Sequence, residues 1–427
     1  LNTKELSDSD LILESSPFSF NDVAFVFDGQ GCYQPGLGCK IWNESTYAQE
    51  LISHCLDVLK DIQYPHLSEL AQALHDEANL LSDPLSPSAQ QLFIAITEFS
   101  IAQCLIASGI SPTLVVGHSL GEYVAAVIAG KLTIESCLLL LARRSLLIER
   151  YGNCGQLLAV GASVESITSL LHEYNCEFAL LNSTQSTVIG GTEEAIQAFT
   201  DVLEPDIVRH RLNLTVAYHT SLASPIADEI EQFSISLETT PKSNISFISC
   251  LSASEYLGET DLHYWSDQLR NPVLFADAVE VVCSFKPTCI IEISPRCILH
   301  SHIRQVASKS DIPLVLASAN DGDGLRGLLQ SITDQLSDKN IQVSQVSPVT
   351  LSIENHKIIN YDPFVPVCGV GGESYWYCPI NREVPKDELD PQRTSDSNAI
   401  QTTPEVTSNH DTRTFLVDTF TSICGID

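Results

Sequence analysis

The residues whose types and spacing can do covalent chemistry lie in the stretch Thr113–Gly130. A short β-branched run ends at Gly117–Gly121, which is Gly-His-Ser-Leu-Gly, and an Ala/Val-rich run of helical character follows. The pattern is G-x-S-x-G, in which a serine stands at a sharp strand-to-helix turn and the glycines let the two backbones approach. Free N–H groups and the positive end of the helix dipole can hold a developing negative charge beside Ser119. The sequence therefore predicts a nucleophilic serine.

A serine hydroxyl is a weak nucleophile and needs an adjacent base. Of the 12 histidines, His118 is next to the serine, but neighbouring side chains on a turn point in different directions. His219 lies in residues 216–220, where a predicted strand gives way to a helix, and clefts form at such crossings between subdomains. We predict that His219 is the base; the alternative is a buried histidine that is hydrogen-bonded in the core.

Two further segments carry polar groups within apolar surroundings. Asp28–Gly31 follows a predicted buried strand, and its two glycines let the backbone approach a ligand closely. Gln30 between them is either a turn residue or a side chain aimed into a site. Arg143 and Arg144 lie in an otherwise apolar predicted helix, and these neighbours weaken the ordinary interpretation of a surface arginine.

The composition limits the classes of partner. The chain has 427 residues, 44% of them apolar, which is enough for two or three globular domains. With 54 acidic and 22 basic residues the net charge is −32, which argues against nucleic acid and anionic membranes. The apolar run 113–142 is interrupted by charges, and the first residues lack signal-peptide character. The 14 cysteines include no C-x-x-C pair, which favours reduced thiols in a cytoplasmic protein over a disulfide framework.

The elements around the candidate residues predict an α/β fold. Ala89–Ser108 is predicted as a long amphipathic helix that leads into the serine strand, and Thr133–Tyr151 as a second helix behind it. Residues 155–220 change to a β-α-β-β-α-β order, which is typical of a ferredoxin-like unit inserted in the larger domain. Strands Ile245–Ser249 and Cys289–Ile293 are predicted to complete the larger sheet.

An ordered set of short motifs extends beyond the serine turn. In chain order it comprises Phe27–Gly31, Gly117–Glu122, Arg144, Asn182-Ser183, Ala217–Thr220, Tyr264-Trp265, Leu269–Val273 and Glu292–Pro295. On these motifs the chain resembles the acyltransferase family that loads malonyl units onto acyl carrier proteins, above all the acyltransferase domains of polyketide and fatty acid synthases. The resemblance covers roughly residues 23–305 and implies an α/β-hydrolase-like large subdomain with an inserted ferredoxin-like small subdomain.

The resemblance implies a role for each matching residue. Ser119 would carry the acyl group as an ester, and His219 would act as general base and then as general acid. The backbone N–H groups of Leu120 and Gln30 would form the oxyanion hole. Arg144 would bind the malonyl carboxylate.

The resemblance also implies the surroundings of the site. The family orients its histidine through backbone carbonyls, and Ser294–Arg296 matches that region. Malonyl-selective members have an aromatic residue before the base, as Tyr218 is here. Asn182 and His118 match the pocket, whereas Val216 stands where bacterial malonyl enzymes usually have histidine, and Asp28 is a second departure.

The resemblance implies no bound cofactor and no metal. Malonyl-CoA would be the substrate, and an acyl carrier protein bearing phosphopantetheine would be the partner, in the same polypeptide as this domain and a ketosynthase. Two alternatives stay open: a serine esterase or editing acyl hydrolase, and an inactive scaffold domain of a megasynthase.

The predicted divisions of the chain follow from the same likeness. They are an incoming linker at 1–21, the large subdomain at 22–154 and 221–337, the small subdomain at 155–220, a post-acyltransferase linker at 338–384, a flexible linker at 385–413 and the start of a carrier domain at 414–427.

Overall fold

The computed structural model describes residues 23–75, 85–108, 110–233, 235–240, 243–310, 315–317, 366–368 and 374–376. The predicted linkers at 1–21 and 385–413 and the predicted carrier segment at 414–427 lie outside the described residues. In chain order the elements are β1 (Val23–Phe27), α1 (Leu37–Glu44), α2 (Thr46–Asp61), α3 (Leu67–His75), α4 (Pro87–Ala107), β2 (Leu114–Gly117), α5 (Gly121–Ile128), α6 (Ile134–Tyr151), β3 (Gln156–Val160), α7 (Val164–Glu173), β4 (Glu177–Ser183), β5 (Ser186–Gly191), α8 (Glu193–Val202), β6 (Arg209–Arg211), α9 (Ser224–Glu231), β7 (Ser246–Ser249), β8 (Ser254–Glu255), α10 (Leu262–Arg270), α11 (Phe275–Ser284), β9 (Cys289–Ile293), α12 (His300–Ala307), β10 (Val315–Ala317), β11 (Pro366–Cys368) and β12 (Ser374–Trp376).

The larger sheet has six strands in the order β10-β9-β1-β2-β7-β8. Its neighbouring strands run parallel except for the antiparallel edge pair β7–β8. Every residue of β1, β2 and β9 is buried, as expected of parallel strands covered on both faces. Because Phe27 of β1 pairs with Gly117 of β2 and with Ile293 of β9, the carboxyl ends of these three strands meet at one edge of the sheet.

The smaller sheet has four strands in the order β4-β5-β3-β6, all antiparallel. Helices α7 and α8 pack on it around Ile167, Ile196 and Phe199. The element order is the β-α-β-β-α-β order predicted for 155–220. The last strand, β6, ends at Arg211, and the Leu214 N–H turns back to the backbone oxygen of Leu212 at 2.8 Å.

The prediction that Ala89–Ser108 is amphipathic is wrong. The helix is there, as α4, but its side chains are buried on all sides, because α1, α2, α3, α5 and α6 pack against it and it also contacts strand β9 of the sheet. Within the part of the chain that the structure describes, α4 is also the one helix long and apolar enough to cross a membrane. In its apolar 18-residue window, 89% is buried inside the protein, which is what a core helix shows.

Two helices were absent from the sequence-based prediction. One is α1, and the other is α10, which begins at Asp261, whose carboxylate accepts the Tyr264 N–H at 2.9 Å. An N-cap aspartate three residues before buried aromatics was an available signal. After the predicted strand-to-helix crossing at 216–220, the chain forms a 3₁₀ turn at Ser221–Ala223 and then α9.

Candidate active site

The predicted serine turn joins β2 to α5. Ser119 has a left-handed backbone, with a φ of 52°, and the His118 N–H donates to the Phe27 oxygen at 2.8 Å. A Cβ on Gly117 would lie 2.2 Å from the backbone of the first turn of α5, and one on Gly121 would lie 2.4 Å from the last carbonyls of the β1 region. Both positions therefore require glycine, and the serine is held in a conformation that non-glycine residues rarely adopt.

We expect Gly117→Ala to destabilise the protein by about 4 kcal/mol or more, because the added methyl group meets backbone that cannot move aside. Gly161→Ala is the matched control, since its Cβ would meet its nearest atom at 3.4 Å. Urea unfolding measures both variants. Equal unfolding midpoints for the two would contradict the close approach of strand and helix.

The structure brings Ser119 and His219 into hydrogen-bond contact. Ser119 Oγ lies 2.6 Å from His219 Nε2, and His219 Nδ1 lies 2.8 Å from the backbone oxygen of Gln268. A carbonyl can only accept, so Nδ1 carries the proton and Nε2 is left to take the serine proton. The His219 N–H also donates to the Leu269 oxygen at 2.8 Å. This is the arrangement of a nucleophile, a base and an orienting group.

The prediction that Ser294–Arg296 orients the base is wrong. The orienting carbonyl belongs to Gln268 in the last turn of α10, where helix carbonyls lack partners within the helix. Ser294 Oγ instead donates to the Arg296 oxygen at 2.9 Å and accepts the Arg296 N–H at 3.2 Å, so these two residues close their own turn.

Gln268 is a site residue that the sequence-based analysis missed. Besides the contact of its backbone oxygen with His219, its side-chain Nε2 donates to the backbone oxygen of Ser119 at 2.8 Å. Gln268 therefore contacts both members of the pair. Its position between the aromatic pair Tyr264-Trp265 and the Leu269–Val273 motif was the only pointer in the sequence.

His118 points away from the base, as predicted from the turn. Its Nε2 lies 2.8 Å from Asn182 Oδ1, and its ring packs edge-on against Phe275. Burial lowers the pKa of His118 to about 4. His118 is thus a neutral histidine that connects the serine turn to β4, and Asn182 is its partner.

Arg144 is fully buried on α6 and points toward the pair. Its guanidinium donates to Gln91 Oε1 on α4 and lies 5.3 Å from the centre of the Tyr218 ring. Among the residues that the structure describes, no carboxylate lies within ion-pair distance of Arg144, and its Nε has no partner. The adjacent Arg143, in contrast, pairs with Glu229 at 3.1 Å. A buried cation without a counter-ion is costly unless an anion binds there.

The remaining predicted residues border the pair. Leu120 is buried at the start of α5, and Tyr218 is buried between Arg144 and His219. Val216 lies in the core and bridges Cys154 through its backbone. Gln30 is half-buried, and its side-chain oxygen has no donor among the described residues.

The comparison with known families now decides the assignment. The family model of the acyl transferase domain matches residues 24–332, a span that contains every site residue named above. The chain belongs to the acyl transferase domain family. Its α/β architecture is therefore the fold of this family, and membership of the family supports its assignment as a transferase.

Individual relatives of this acyl transferase domain are polyketide synthases. The chain is 29% identical over 321 residues to atrochrysone carboxylic acid synthase of Aspergillus chevalieri, which covers 72% of the chain and 18% of the synthase. It is similar in fold to the acyltransferase domain from module 8 of the salinomycin polyketide synthase, with a TM-score of 0.67, 23% identity and coverage of 74% and 75% of the two chains. Malonyl CoA-acyl carrier protein transacylase from Clostridium perfringens gives a TM-score of 0.64 at 20% identity, covering 75% and 98%. The chain spans less than a fifth of the length of the curated relatives it matches.

His219 is expected to remain able to accept the Ser119 proton at acidic pH. Burial, and then the charge of Arg144, lower the pKa of His219 to about 3, so Nε2 stays unprotonated as the pH falls. Inactivation of Ser119 by an uncharged phosphonofluoridate should have the same rate at pH 8 and pH 5. A histidine of ordinary pKa would lose about thirty-fold over that interval.

The Arg144→Gln variant supplies the control for this pH profile. It removes the charge of Arg144, which is the second cause of the lowered pKa of His219. The pH at which the inactivation rate falls to half should therefore be higher in this variant than in the parent. A parent rate that falls between pH 8 and pH 5 would contradict the buried, neutral base.

Proposed function

We propose that this acyl transferase domain moves a malonyl unit from coenzyme A, through an ester on Ser119, to the phosphopantetheine thiol of an acyl carrier protein. The observation that carries the proposal is the buried guanidinium of Arg144 beside the Ser119–His219 pair. A neutral acyl group has no use for a cation there. A malonyl group ends in a carboxylate, which matches a guanidinium in charge and in bidentate geometry.

The first half-reaction forms the acyl-enzyme. Ser119 Oγ attacks the thioester carbonyl while His219 Nε2 takes the serine proton. The carbon–sulfur bond then breaks, and His219 returns the proton to the coenzyme A sulfur. In the second half-reaction His219 takes the proton of the carrier thiol, the thiol attacks the serine ester, and the proton returns to Ser119 Oγ.

Two backbone N–H groups are available for the developing oxyanion. Within the described residues, neither the Leu120 N–H nor the Gln30 N–H donates a hydrogen bond. Gly29, directly before Gln30, packs against the serine turn, since a Cβ on Gly29 would lie 3.4 Å from Ser119 Cβ. We infer that these two donors hold the carbonyl oxygen as it becomes negative, which is commonly a large term in acyl transfer.

The substrate should also alter the base. The positive charge of Arg144 is the second cause of the low pKa of His219. A bound malonyl carboxylate neutralises that charge, so the pKa of His219 rises toward the range in which a base is efficient. An acyl group without a carboxylate leaves the base at its lowest strength. The arginine therefore favours malonyl in chemistry as well as in binding.

Pocket size supports malonyl over branched extender units. Tyr218 is buried against Arg144 and adjoins the base, and Leu120 is buried directly after the nucleophile. We infer that an α-methyl group would clash with one of these side chains. For the fold, the strand order of the small sheet and the parallel large sheet with its serine turn support a ferredoxin-like subdomain inserted in a hydrolase-like one.

The proposed acceptor is a carrier domain in the same polypeptide as this domain and a ketosynthase, in a cytoplasmic synthase. This is supported by relatives several times longer than the chain. Because carrier proteins are acidic and this chain carries −32, the two should repel when separate, and tethering supplies effective concentration instead. We expect transfer to a detached carrier to be slow and to speed up with added salt. Fast transfer that weakens with salt would contradict this expectation.

One incubation with labelled malonyl-CoA separates the proposal from the two alternatives. The transferase retains a malonyl mass until a thiol acceptor is added. A serine esterase or editing hydrolase releases free malonate at once, and an inactive scaffold domain does neither. Arg144 disfavours the general esterase, and the formed Ser119–His219 pair disfavours the scaffold.

A further inference from the structure

Three fully buried carboxyl groups lie where β1 and β9 end: Asp28 after β1, Glu98 on α4 and Glu292 on β9. Each uses one oxygen to accept a backbone N–H. Asp28 N–H donates to Glu98 Oε1 at 3.1 Å, Ile298 N–H to Asp28 Oδ2 at 3.0 Å, and Leu299 N–H to Glu292 Oε1 at 2.7 Å. We call these three groups the carboxyl cluster.

The second oxygen of each member has no hydrogen-bond donor among the described residues; these oxygens are Asp28 Oδ1, Glu98 Oε2 and Glu292 Oε2. No lysine or arginine in the described part of the chain pairs with them, and the nearest cationic candidate, His300 Nδ1, is 3.6 Å from Glu292 Oε2. The described residues also hold no group of side chains arranged to bind a metal ion. One histidine can offset at most one of three buried negative charges, and the others are untenable without a cation, so protons must neutralise part of the cluster.

The other titratable groups described around the cluster, besides His300, do not supply the missing positive charge. Cys32 is buried beside the cluster, and burial, then Glu98, raise the pKa of its thiol. Cys297 lies nearby, with its Sγ 3.9 Å from the Glu292 oxygen, and burial lowers the pKa of His302.

Asp28 and Glu292 accept the successive backbone N–H groups of Ile298 and Leu299, so the two carboxyl groups lie side by side. Burial, and then the adjacent Glu292, raise the pKa of Asp28. Two buried carboxyl groups held side by side repel each other as two anions, whereas a proton on one can be donated to the other.

The carboxyl cluster is joined directly to the segment that packs on the serine turn. Gly29 follows Asp28. Its Cα packs so closely on the serine turn that a Cβ would lie 2.9 Å from the His118 backbone oxygen and 3.4 Å from Ser119 Cβ. Gln30, whose N–H is proposed to hold the oxyanion, comes next. Any shift of Asp28 is therefore transmitted to the position of that N–H.

We propose that Asp28 and Glu292 share one proton at neutral pH, and that this shared proton positions the Gly29–Gly31 turn against Ser119. Asp28 is thus a positioning residue. Loss of the proton at alkaline pH loosens the Gly29–Gly31 turn, which carries the Gln30 N–H. The positioning half rests on the proposed acyl transfer. The shared proton is a property of the fold and can be tested without any substrate.

The first test compares the urea unfolding of the full chain and of Asp28→Asn from pH 5 to pH 9. The shared proton is bound in the native state and lost on unfolding, so rising pH raises the parent's unfolding constant by about tenfold per pH unit in the range where that proton stays bound. The asparagine supplies a permanent N–H donor to Glu292 and removes this dependence. The free energy of unfolding of Asp28→Asn should therefore exceed that of the parent as the pH rises. Asp57→Asn, on the exposed face of α2, is the control, and its free energy of unfolding should change with pH as the parent's does.

The second test measures the initial rate of malonyl loading over pH 7 to pH 10. The parent rate should fall reversibly on the alkaline side, and Asp28→Asn should hold its rate to higher pH. Glu292→Gln should give the same unfolding and loading profiles as Asp28→Asn, since it replaces the same proton with an amide N–H. It is the variant to measure if Asp28→Asn fails to fold. Parallel unfolding profiles of parent and variants would overturn the shared proton. Changed unfolding profiles with unchanged loading profiles would overturn the positioning role.

Discussion

Ser119→Ala is expected to abolish formation of the acyl-enzyme, and His219→Ala to slow it by about a hundred-fold or more. No other hydroxyl of the described residues contacts His219 Nε2, so nothing replaces the nucleophile. Without the histidine, the serine keeps its place but must lose its proton to water. The measurement is the intact mass of each variant after timed exposure to malonyl-CoA.

His172→Ala is the matched control for the base, because this histidine is exposed on α7. It should load malonyl at the parent rate. A Ser119→Ala protein that still gains the malonyl mass would contradict the assignment of the nucleophile. A His219→Ala protein as fast as His172→Ala would contradict the assignment of the base.

Arg144→Ala is expected to lose malonyl loading by about thirty-fold or more. Removing one partner of a buried charge pair typically costs about 2–5 kcal/mol, and about 1.4 kcal/mol is tenfold in rate or affinity. Acetyl loading should be kept or improved, because the variant no longer holds an unpaired buried cation. A competition between malonyl-CoA and acetyl-CoA, read as the mass of the acyl-enzyme, measures the change of preference.

Arg143→Ala distinguishes the carboxylate contact from a general effect of losing an arginine on α6. Arg143 is the adjacent residue, is also buried, and pairs with Glu229. This variant should keep the malonyl preference even if it is less stable. If Arg144→Ala keeps the preference as well, Arg144 is a structural arginine and the substrate proposal fails.

The sequence was sufficient for those parts of the site that depend on local backbone geometry. Gly117 is required by contacts with Gly121 and Glu122, a few residues away, so the G-x-S-x-G pattern was enough to predict the turn around Ser119, although Gly121 is required by the distant carbonyls of Phe27 and Asp28. The limits of α6 were also predictable, because Thr133 caps the helix by accepting the Ser136 N–H. The divergence of His118 from the serine followed from the geometry of a turn.

What could not be predicted depends on contacts between distant segments. Gln268 contacts His219, which is 49 positions away, and no spacing rule connects a helix carbonyl to a histidine in a distant segment. The all-round burial of α4 depends on how many elements surround it. Asp28 was recognisable as a departure from the family, but its role beside Glu98 and Glu292 requires three segments to meet.

The measurement that tests the central claim most directly is discharge of the acyl-enzyme. Malonyl-loaded protein, freed of coenzyme A, is mapped by peptide mass spectrometry and then mixed with a phosphopantetheine-bearing carrier domain. The account predicts malonyl on the Ser119 peptide and its transfer to the carrier thiol, with little free malonate. Malonyl on another residue, or release as free malonate while the carrier stays unloaded, would contradict it.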